Sequence, residues 1–513
     1  MSERDMKNIP AEMFEFTRRD EKIHDEKIQT KAIGYFQDAW IRFCKNKSAV
    51  VAFALIIILV LFAVIVPFIS RYDVSFREGY YATMLPRNSL LAPLGIWDGG
   101  KTSVENQDSY EYLQSIGVET GRPAILREYE AYDDAQGFTY HRVKVDAYQR
   151  VGYAFINLTE TEYQKLQAYQ DETGTQVIYP LPATHNIGYL LGNGGANFWY
   201  KLKNEATTTT GGALLDEDGN FIPNYLTSDN PEKANYTSLK IAGDDGGADG
   251  KTWYVYAQKN QSGVKVRVDY YEYFRYQNGQ YPSFLFGTNA YGQDIFSCLA
   301  AGARLSFLLA ITISIINFTI GAVYGAIEGY YGGTLDLVME RISDILYDVP
   351  FMVVATLFQL HLAEKVGVLP SLLFAFVLTG WVGMAARVRM QFYRFKRQEY
   401  VLAARTLGAG DRRLIFKHIF PNSLGTISTG SVLAIPGVIF SESMLSYLHI
   451  INLETSSLTS IGTLLSGGQR YLSTYPHIIL FPALFISILE ISFNLFGNGL
   501  RDAFNPSLRG ADE

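Results

Sequence analysis

The stretch Glu399-Tyr400-Val401-Leu402-Ala403-Ala404-Arg405-Thr406-Leu407-Gly408, continuing to Pro421-Asn422, has residue types suited to noncovalent work on another surface. Ala403 and Ala404 strip bulk from one helix face, so a partner can approach closely. Gly408 is the residue type that takes the left-handed conformation ending a helix. Asp411 reads as the N-cap of a second helix, Leu414, Ile415 and Ile419 as its apolar stripe, and Pro421 as its stop. Arg405, Arg412, Arg413 and Lys417 supply charge for an acidic groove. Anionic lipid headgroups would satisfy the same charges, and a loop lying against lipid explains the same pattern.

Other motifs with chemical promise fail on spacing. Gly250-Lys251-Thr252 ends like a phosphate-binding loop, but the residue five places before Gly250 is Asp245, whose charge repels phosphate. Asp216-Glu217-Asp218-Gly219-Asn220 resembles the start of a calcium loop, with its glycine two places early and Thr227 where a bidentate glutamate belongs. The seven histidines show no paired spacing, so no metal site is expected, and no serine, histidine and acid set stands out. No enzyme, no nucleic-acid partner and no cofactor on this chain is expected.

The elements that must hold the loop are membrane spans. Residues 49–69 form an uncharged apolar run long enough to cross about 30 Å of hydrocarbon. Further spans are expected at 305–327, 346–363, 368–386, 427–448 and 475–497, six in all. Residues 387–417 hold nine Lys or Arg, whereas 451–474 hold only Arg470. With Lys45 and Lys47 before the first span, the positive-inside rule puts both termini and the basic loop in the cytoplasm. Residues 71–283 then lie outside. They carry 19 Lys or Arg against 27 Asp or Glu, so the net charge of −7 is concentrated there.

The chain therefore divides into a cytoplasmic tail with an amphipathic elbow helix (1–48, with Ile33, Phe36, Trp40 and Phe43 on one face), a first span (49–69), an inserted α+β domain (70–285) and a five-helix core (286–513) containing the basic loop at 391–424. In the insert, 142–146, 151–156, 253–257 and 264–271 read as strands, 159–170 as a helix, and 216–220 and 243–250 as turns. The insert holds 24 of the chain's 35 tyrosines, which suit either a binding surface or ordinary strand positions. Cys44 and Cys298 fall on opposite sides of the membrane and cannot pair. Glu442 and Glu490 sit inside the fifth and sixth spans, where ionisable groups face a wet pathway or bond a neighbouring helix.

The basic loop resembles the coupling loop, the EAA motif, of binding-protein-dependent ABC importers, and most resembles that of the C-type permease subunit of the dipeptide and oligopeptide importers. The similarity runs from about Phe286 to Arg509 and resumes around Phe36 to Ala49 with Trp40, Phe43 and Asn46. It is carried also by Gly287-Thr288 through Asp294, Gly302-Ala303-Arg304-Leu305-Ser306, Gly329-Tyr330-Tyr331-Gly332-Gly333, Arg341 with Asp344, Gly380-Trp381, and Gly499-Leu500-Arg501-Asp502 with Asn505-Pro506. The resemblance implies an all-α polytopic membrane protein with the ABC importer type I permease fold, carrying the inserted domain. It implies a second permease subunit, two ATP-binding subunits that hold ATP and magnesium, an extracytoplasmic substrate-binding protein, and a plasma-membrane location among lipid. Ala403, Ala404, Arg405, Gly408, Asp411, Arg412 and Pro421 are then the ATPase-coupling residues; Glu442, Glu490 and Asp344 serve the translocation pathway or helix packing. Leu402 stands where the motif normally has glutamate, and Asn289 and Gln293 stand where charged side chains are usual. The insert has no counterpart in the compact members of the family. Rival readings are a membrane-anchored receptor or sensor, which would need an output domain, a self-sufficient transporter built on internal repeats, and an importer of another solute such as nickel chelates or sugars.

Overall fold

The computed structural model describes residues 35–88, 90–183, 192–203, 212–228, 236–237, 253–261, 263–453 and 458–504. The N-terminal tail with Ile33, the turn at 243–250 with Lys251 and Thr252, and Asn505 with Pro506 lie outside them. Helix α1 (Tyr35–Lys45) buries Phe43 against Phe496, ring centroids 5.5 Å apart, while Trp40, half exposed, stacks on Phe43 at 5.6 Å on the same face. The Asn46 side chain accepts from the Ala49 amide at 3.3 Å and starts α2 (Lys47–Ile69).

Beyond α2 the chain makes β1 (Gly100–Asn106), α3 (Gln107–Thr120), β2 (Ile125–Asp133) and β3 (Thr139–Asp146), an antiparallel sheet ordered β1-β3-β2. A second unit follows: β4 (Tyr153–Leu158), α4 (Glu160–Thr173), β5 (Ile178–Tyr179), β6 (Thr227–Ser228), β7 (Tyr236–Thr237), β8 (Trp253–Tyr254), β9 (Ala257–Asn260), β10 (Gly263–Asp269) and α5 (Tyr270–Asn278). Its main sheet runs β4-β10-β9-β7, with β5 also on β10 and β6 paired to β8. Thr159 caps α4 through a reciprocal bond with Glu162, so the expected helix begins where the sequence placed it and runs on to Thr173. The expected strand at 264–271 ends at Asp269, because that carboxylate accepts from the Tyr271 amide and starts α5. The expected strand at 253–257 is split: Trp253 and Tyr254 form β8, paired to β6, and Ala257 begins β9, paired to β10. Asp216 closes its own turn by accepting from Asn220 N at 2.8 Å, and Gly219 takes φ +82°.

The tyrosines are mostly core. Tyr81, Tyr148, Tyr153 and Tyr200 are fully buried, and Tyr148 donates to Leu85 O at 2.8 Å. Arg267, also fully buried, bonds Glu119 through both terminal nitrogens and lies 3.8 Å from the Tyr153 ring centroid. Burial alone would favour a neutral Asp269 and raises its carboxyl above the usual range, although Arg122 pairs with it. The two ends of the insert meet. Thr288 Oγ1 accepts from Met84 N at 2.8 Å, Gln293 Nε2 donates to Val74 O at 2.7 Å, and the Ser70 and Ser297 hydroxyls touch. Gln293 thus serves as an amide clip between the two ends, and the Asn289 amide braces it by donating to Gln293 Oε1 at 2.8 Å.

The membrane bundle continues with α6 (Ile295–Tyr331), α7 (Gly333–Tyr347), α8 (Phe351–His361), α9 (Val368–Phe395), α10 (Glu399–Thr406), α11 (Asp411–Tyr447), α12 (Ile461–Gly468) and α13 (His477–Phe504). Among the described residues five helices are long and apolar enough to span a membrane, and the pair α7–α8, bent by 72°, would make a sixth. The expected span at 346–363 is therefore only the second arm of a broken pair. Pro350 breaks it, since the residue before a proline is driven out of helical geometry, and charges at Asp336, Glu340 and Asp344 hid the first arm. The long helices also extend past the expected spans, α6 from its Asp294 cap and α11 across Pro421.

One contact sets the bundle's geometry. Gly321, Gly325 and Gly329 line one face of α6, and a Cβ on each would meet α9 backbone: Trp381 O at 2.8 Å, Ala385 O at 2.2 Å and Arg389 O at 2.7 Å. Small residues spaced by four let membrane helices touch along their backbones. Gly325→Val should force α6 from α9 and cost at least the roughly 1–3 kcal/mol of an overpacked core. Gly383→Val, at a glycine with nothing within 4 Å, should be near neutral. Thermal unfolding of the detergent-solubilised chain compares them, and equal midpoints for both variants would contradict the close contact.

Candidate functional site

The foot of the bundle, at the end away from the insert, is where the basic loop sits. Val401 on α10 and Leu414, Ile415 and Ile419 on α11 are buried against Val388, Phe392, Ala326 and Tyr330 of α9 and α6. Each such side chain contributes roughly 1.5–3 kcal/mol by leaving water, so the loop is plugged into the bundle. Ala404 packs against the same cluster, half-buried, while Ala403 faces out. Gly408 takes φ +85° just past α10, as its residue type suggested, and an added Cβ there would meet nothing within 4 Å.

Two sequence readings are corrected. Asp411 does not cap the second helix: Gly410 holds that position, and Asp411 is the first helical residue. Its carboxylate instead accepts from the Tyr330 hydroxyl at 2.6 Å, and Arg405 Nη2 donates to the same hydroxyl at 3.3 Å. Pro421 does not end the helix. A π turn over Leu414–Ile419 precedes it, with Phe420 N bonded to Ile415 O, and Pro421 falls in the first turn of the next segment. There a missing N–H costs no bond, and the widened turn takes up the ring.

The sequence did not disclose the clamp behind the loop. Arg389 on α9 bonds Asp336 through Nε and Nη2 at 2.7 and 2.9 Å and Glu340 through Nη1 at 2.7 Å, and the Tyr393 hydroxyl also donates to Asp336. Lys396 donates to Gly329 O at 2.8 Å, setting a cation on the C-terminus of α6. Burial, then the neighbouring Arg397 charge, lowers its ammonium pKa below the ordinary lysine value. The Gly329–Gly333 signature marked this corner; its partners could not be read from spacing.

Outward, the loop shows Leu402, Leu407 and Phe416 at 46, 88 and 61 % exposure, next to Arg405, Arg412, Arg413 and Lys417. Gly410, Asp411, Arg412, Arg413, Phe416, Lys417 and Pro421 line a shallow open hollow beside them. Leu402, in place of the motif's glutamate, adds apolar surface where an anion is expected. A second cleft of about 500 Å³ at the foot is lined by Arg387, Arg394 and Arg501 with Thr426, Thr429 and Phe504, and by no carboxylate among the described residues.

Within the bundle, Glu442 on α11 is fully buried. Ser306 of α6 donates to its Oε2 at 3.1 Å, Ser446 to its Oε1 at 3.1 Å, and Ser443 reaches Oε2 at 3.4 Å. Ser446 also lines a recess of about 420 Å³ on the insert side, with Tyr291, His449, Asn452, Arg470 and Tyr471. Glu490 on α13 is half-buried, and its Oε1 has no hydrogen-bond partner among the described residues. Asp344 stands apart from both, exposed on α7 and paired with Arg341 of its own helix at 3.1 Å.

A bundle of apolar helices with a basic loop at its foot is the arrangement of a transport permease. The chain belongs to that class: residues 317–510 match the family model described as the binding-protein-dependent transport system inner membrane component. Residues 34–93 match the N-terminal TM domain of oligopeptide transport permease C. The oligopeptide transport system permease protein OppC of Bacillus subtilis is 42% identical over 44% of this chain and 72% of its own length. The dipeptide transport system permease protein DppC of the same organism is 39% identical over 44% of this chain and 69% of its own. Among solved structures, the inward-facing MetNI methionine ABC transporter aligns with 40% of this chain and 96% of that chain, at 15% identity and a TM-score of 0.34.

The Glu442 cage yields a test. Glu442→Ala removes the shared acceptor of buried hydroxyls and should destabilise by about 1–3 kcal/mol, whereas Glu442→Gln, which keeps an acceptor, should lose less. Thermal unfolding of the solubilised protein ranks the two. An alanine variant as stable as wild type would show that the carboxyl is not a structural link.

Proposed function

We propose that this chain is the C-type permease subunit of an ATP-driven importer of oligopeptides or dipeptides. It forms half of the translocation pathway beside a second permease subunit. Two cytoplasmic ATP-binding subunits, which carry the ATP and magnesium, dock on the foot, and an extracytoplasmic binding protein delivers substrate on the insert side. The observation that carries this reading is the α10–α11 loop, an exposed apolar patch ringed with cations and fastened to the ends of α6 and α9. An ATPase closing against Ala403, Arg405, Leu407, Gly408 and Arg412 would push a rigid corner, so that the helices rock and open inward. With Leu402 in the glutamate position, shape and the arginines carry the contact. Peptides as cargo are supported by the relatives named above. Both termini lie in the cytoplasm, in keeping with the charge asymmetry.

The recess bearing Arg470 and His449 lies on the entry side, directly beside Ser446 of the Glu442 cage, and Glu490 faces the pathway or the second permease. The insert (70–285) docks the binding protein or guides its substrate.

Uptake of labelled di-, tri- and hexapeptides by cells lacking only this chain tests the proposal. Wild type should restore one length class, and Gly408→Arg should not, although it inserts normally. An added Cβ at Gly408 meets nothing within 4 Å among the described residues, but its left-handed φ strains any non-glycine, so Gly408→Ala, which carries the strain without the bulk and charge, is the control and should keep most of the uptake. Uptake unchanged by deletion would remove peptides as cargo, and full rescue by Gly408→Arg would remove the loop from coupling. Ala404→Asp buries a charge in the plug and should release the ATP-binding subunits; unchanged co-purification with unchanged uptake would count against their docking here.

A further inference from the structure

Between Asn88 and Trp97 the insert sends out a short hairpin closed by the Arg87–Asp98 bridge. Its sequence, Asn-Ser-Leu-Leu-Ala-Pro-Leu-Gly-Ile-Trp, has no charge in a segment whose surroundings are rich in charge. Leu90, Leu94 and Ile96 are 84, 72 and 61 % exposed, covered by none of the described chain. A cluster of this kind on a water-facing domain is a liability unless something apolar covers it.

Its position says what does. Trp97, held at φ +53°, stacks on Phe481 of α13 at 6.3 Å, and Phe481 stacks on Phe286 at 4.1 Å. One turn further along α13, Phe485 meets Phe62 of α2 at 5.8 Å. Phe481 is therefore level with the last turns of α2, where Phe68 and Ile69 are more than 70 % exposed at the end of an apolar span. From Phe481 inward to Leu500, α13 has about the 20 residues that cross the hydrocarbon, with Glu490 its only charged residue. Trp97 thus lies in the boundary layer where indole rings concentrate. At the same corner Lys101 donates to Thr474 O at 3.2 Å and lies 4.8 Å from the Tyr475 ring, a cation at headgroup height.

We propose that the 88–97 hairpin is a membrane anchor: Leu90, Leu94 and Ile96 insert into the leaflet on the insert's side, with Trp97 and Lys101 at its surface, fixing the insert's height and tilt over the permease. The ligand is the lipid bilayer itself, through acyl chains and not a particular headgroup. The inference rests on reading α2 and α13 as spans.

The test uses the full chain with Cys44→Ser and Cys298→Ala, reconstituted in liposomes and labelled with an environment-sensitive fluorophore at a single new cysteine. Leu94→Cys should give a blue-shifted emission that loses most of its intensity when lipids nitroxide-labelled near the headgroup are included. Ile96→Cys should behave the same way. Phe138→Cys, beyond the far end of the β1–β3 pair and about 20 Å along the strand, should stay water-like and unquenched. Phe68→Cys, on α2, should be quenched. Water-like emission at both hairpin positions overturns the anchor. So does blue-shifted emission without lipid quenching, which would mean that protein covers the hairpin. An unquenched Phe68 label would overturn the span reading, and the anchor with it.

Discussion

Along Gly321, Gly325 and Gly329, α6 and α9 lie backbone to backbone, and much of the transport end of the molecule is arranged around that contact. It brings Tyr330 at the foot of α6 beside Arg389, Tyr393 and Lys396 of α9 and the turn after it. It also creates the apolar socket into which Val401, Leu414 and Ile419 plug. A force on the loop is therefore delivered to two spans together. If side chains separated these helices, the Tyr330–Asp411 bond and the Lys396 cap would both be out of reach.

A second constraint is where charge can be held. The bundle concentrates ionisable groups at its foot, where Arg389 gathers Asp336 and Glu340, and satisfies Glu442 with serines instead of a counter-charge. Hydroxyls suit that role because they share a proton without adding charge to the hydrocarbon. The insert obeys the same rule by another route, enclosing Arg267 with Glu119 and two backbone carbonyls. Its ends meet at Thr288 and Gln293, so a large insertion costs the helices below it little rearrangement.

Sequence was most legible where one residue type forces one geometry. Gly408 had to be left-handed, Thr159 with Glu162 had to start a helix, and uncharged apolar runs had to cross lipid. It misled where a residue's partner decides its role. Asp411 reads as a cap by position, but the Tyr330 hydroxyl, 81 residues away in sequence, claims its carboxylate. Pro421 reads as a stop, but a π turn carries the helix across it. The first arm of α7–α8 was hidden because Asp336 and Glu340 look like loop residues until Arg389 is placed against them. The Gly321-Gly325-Gly329 spacing was a usable signal in the sequence, whereas the three-arginine cleft at the foot draws on α9 and α13 and has no local signature.

The central claim is that the α10–α11 loop is the surface on which ATP-driven motion enters the permease. Leu407 is its most exposed apolar residue. A photo-crosslinking amino acid placed there in living cells tests the claim directly, because it captures whatever the loop touches. The account predicts an adduct with an ATP-binding subunit, formed in wild-type background and lost in Gly408→Arg. Adducts with lipid alone would contradict it and make the loop a membrane-surface element.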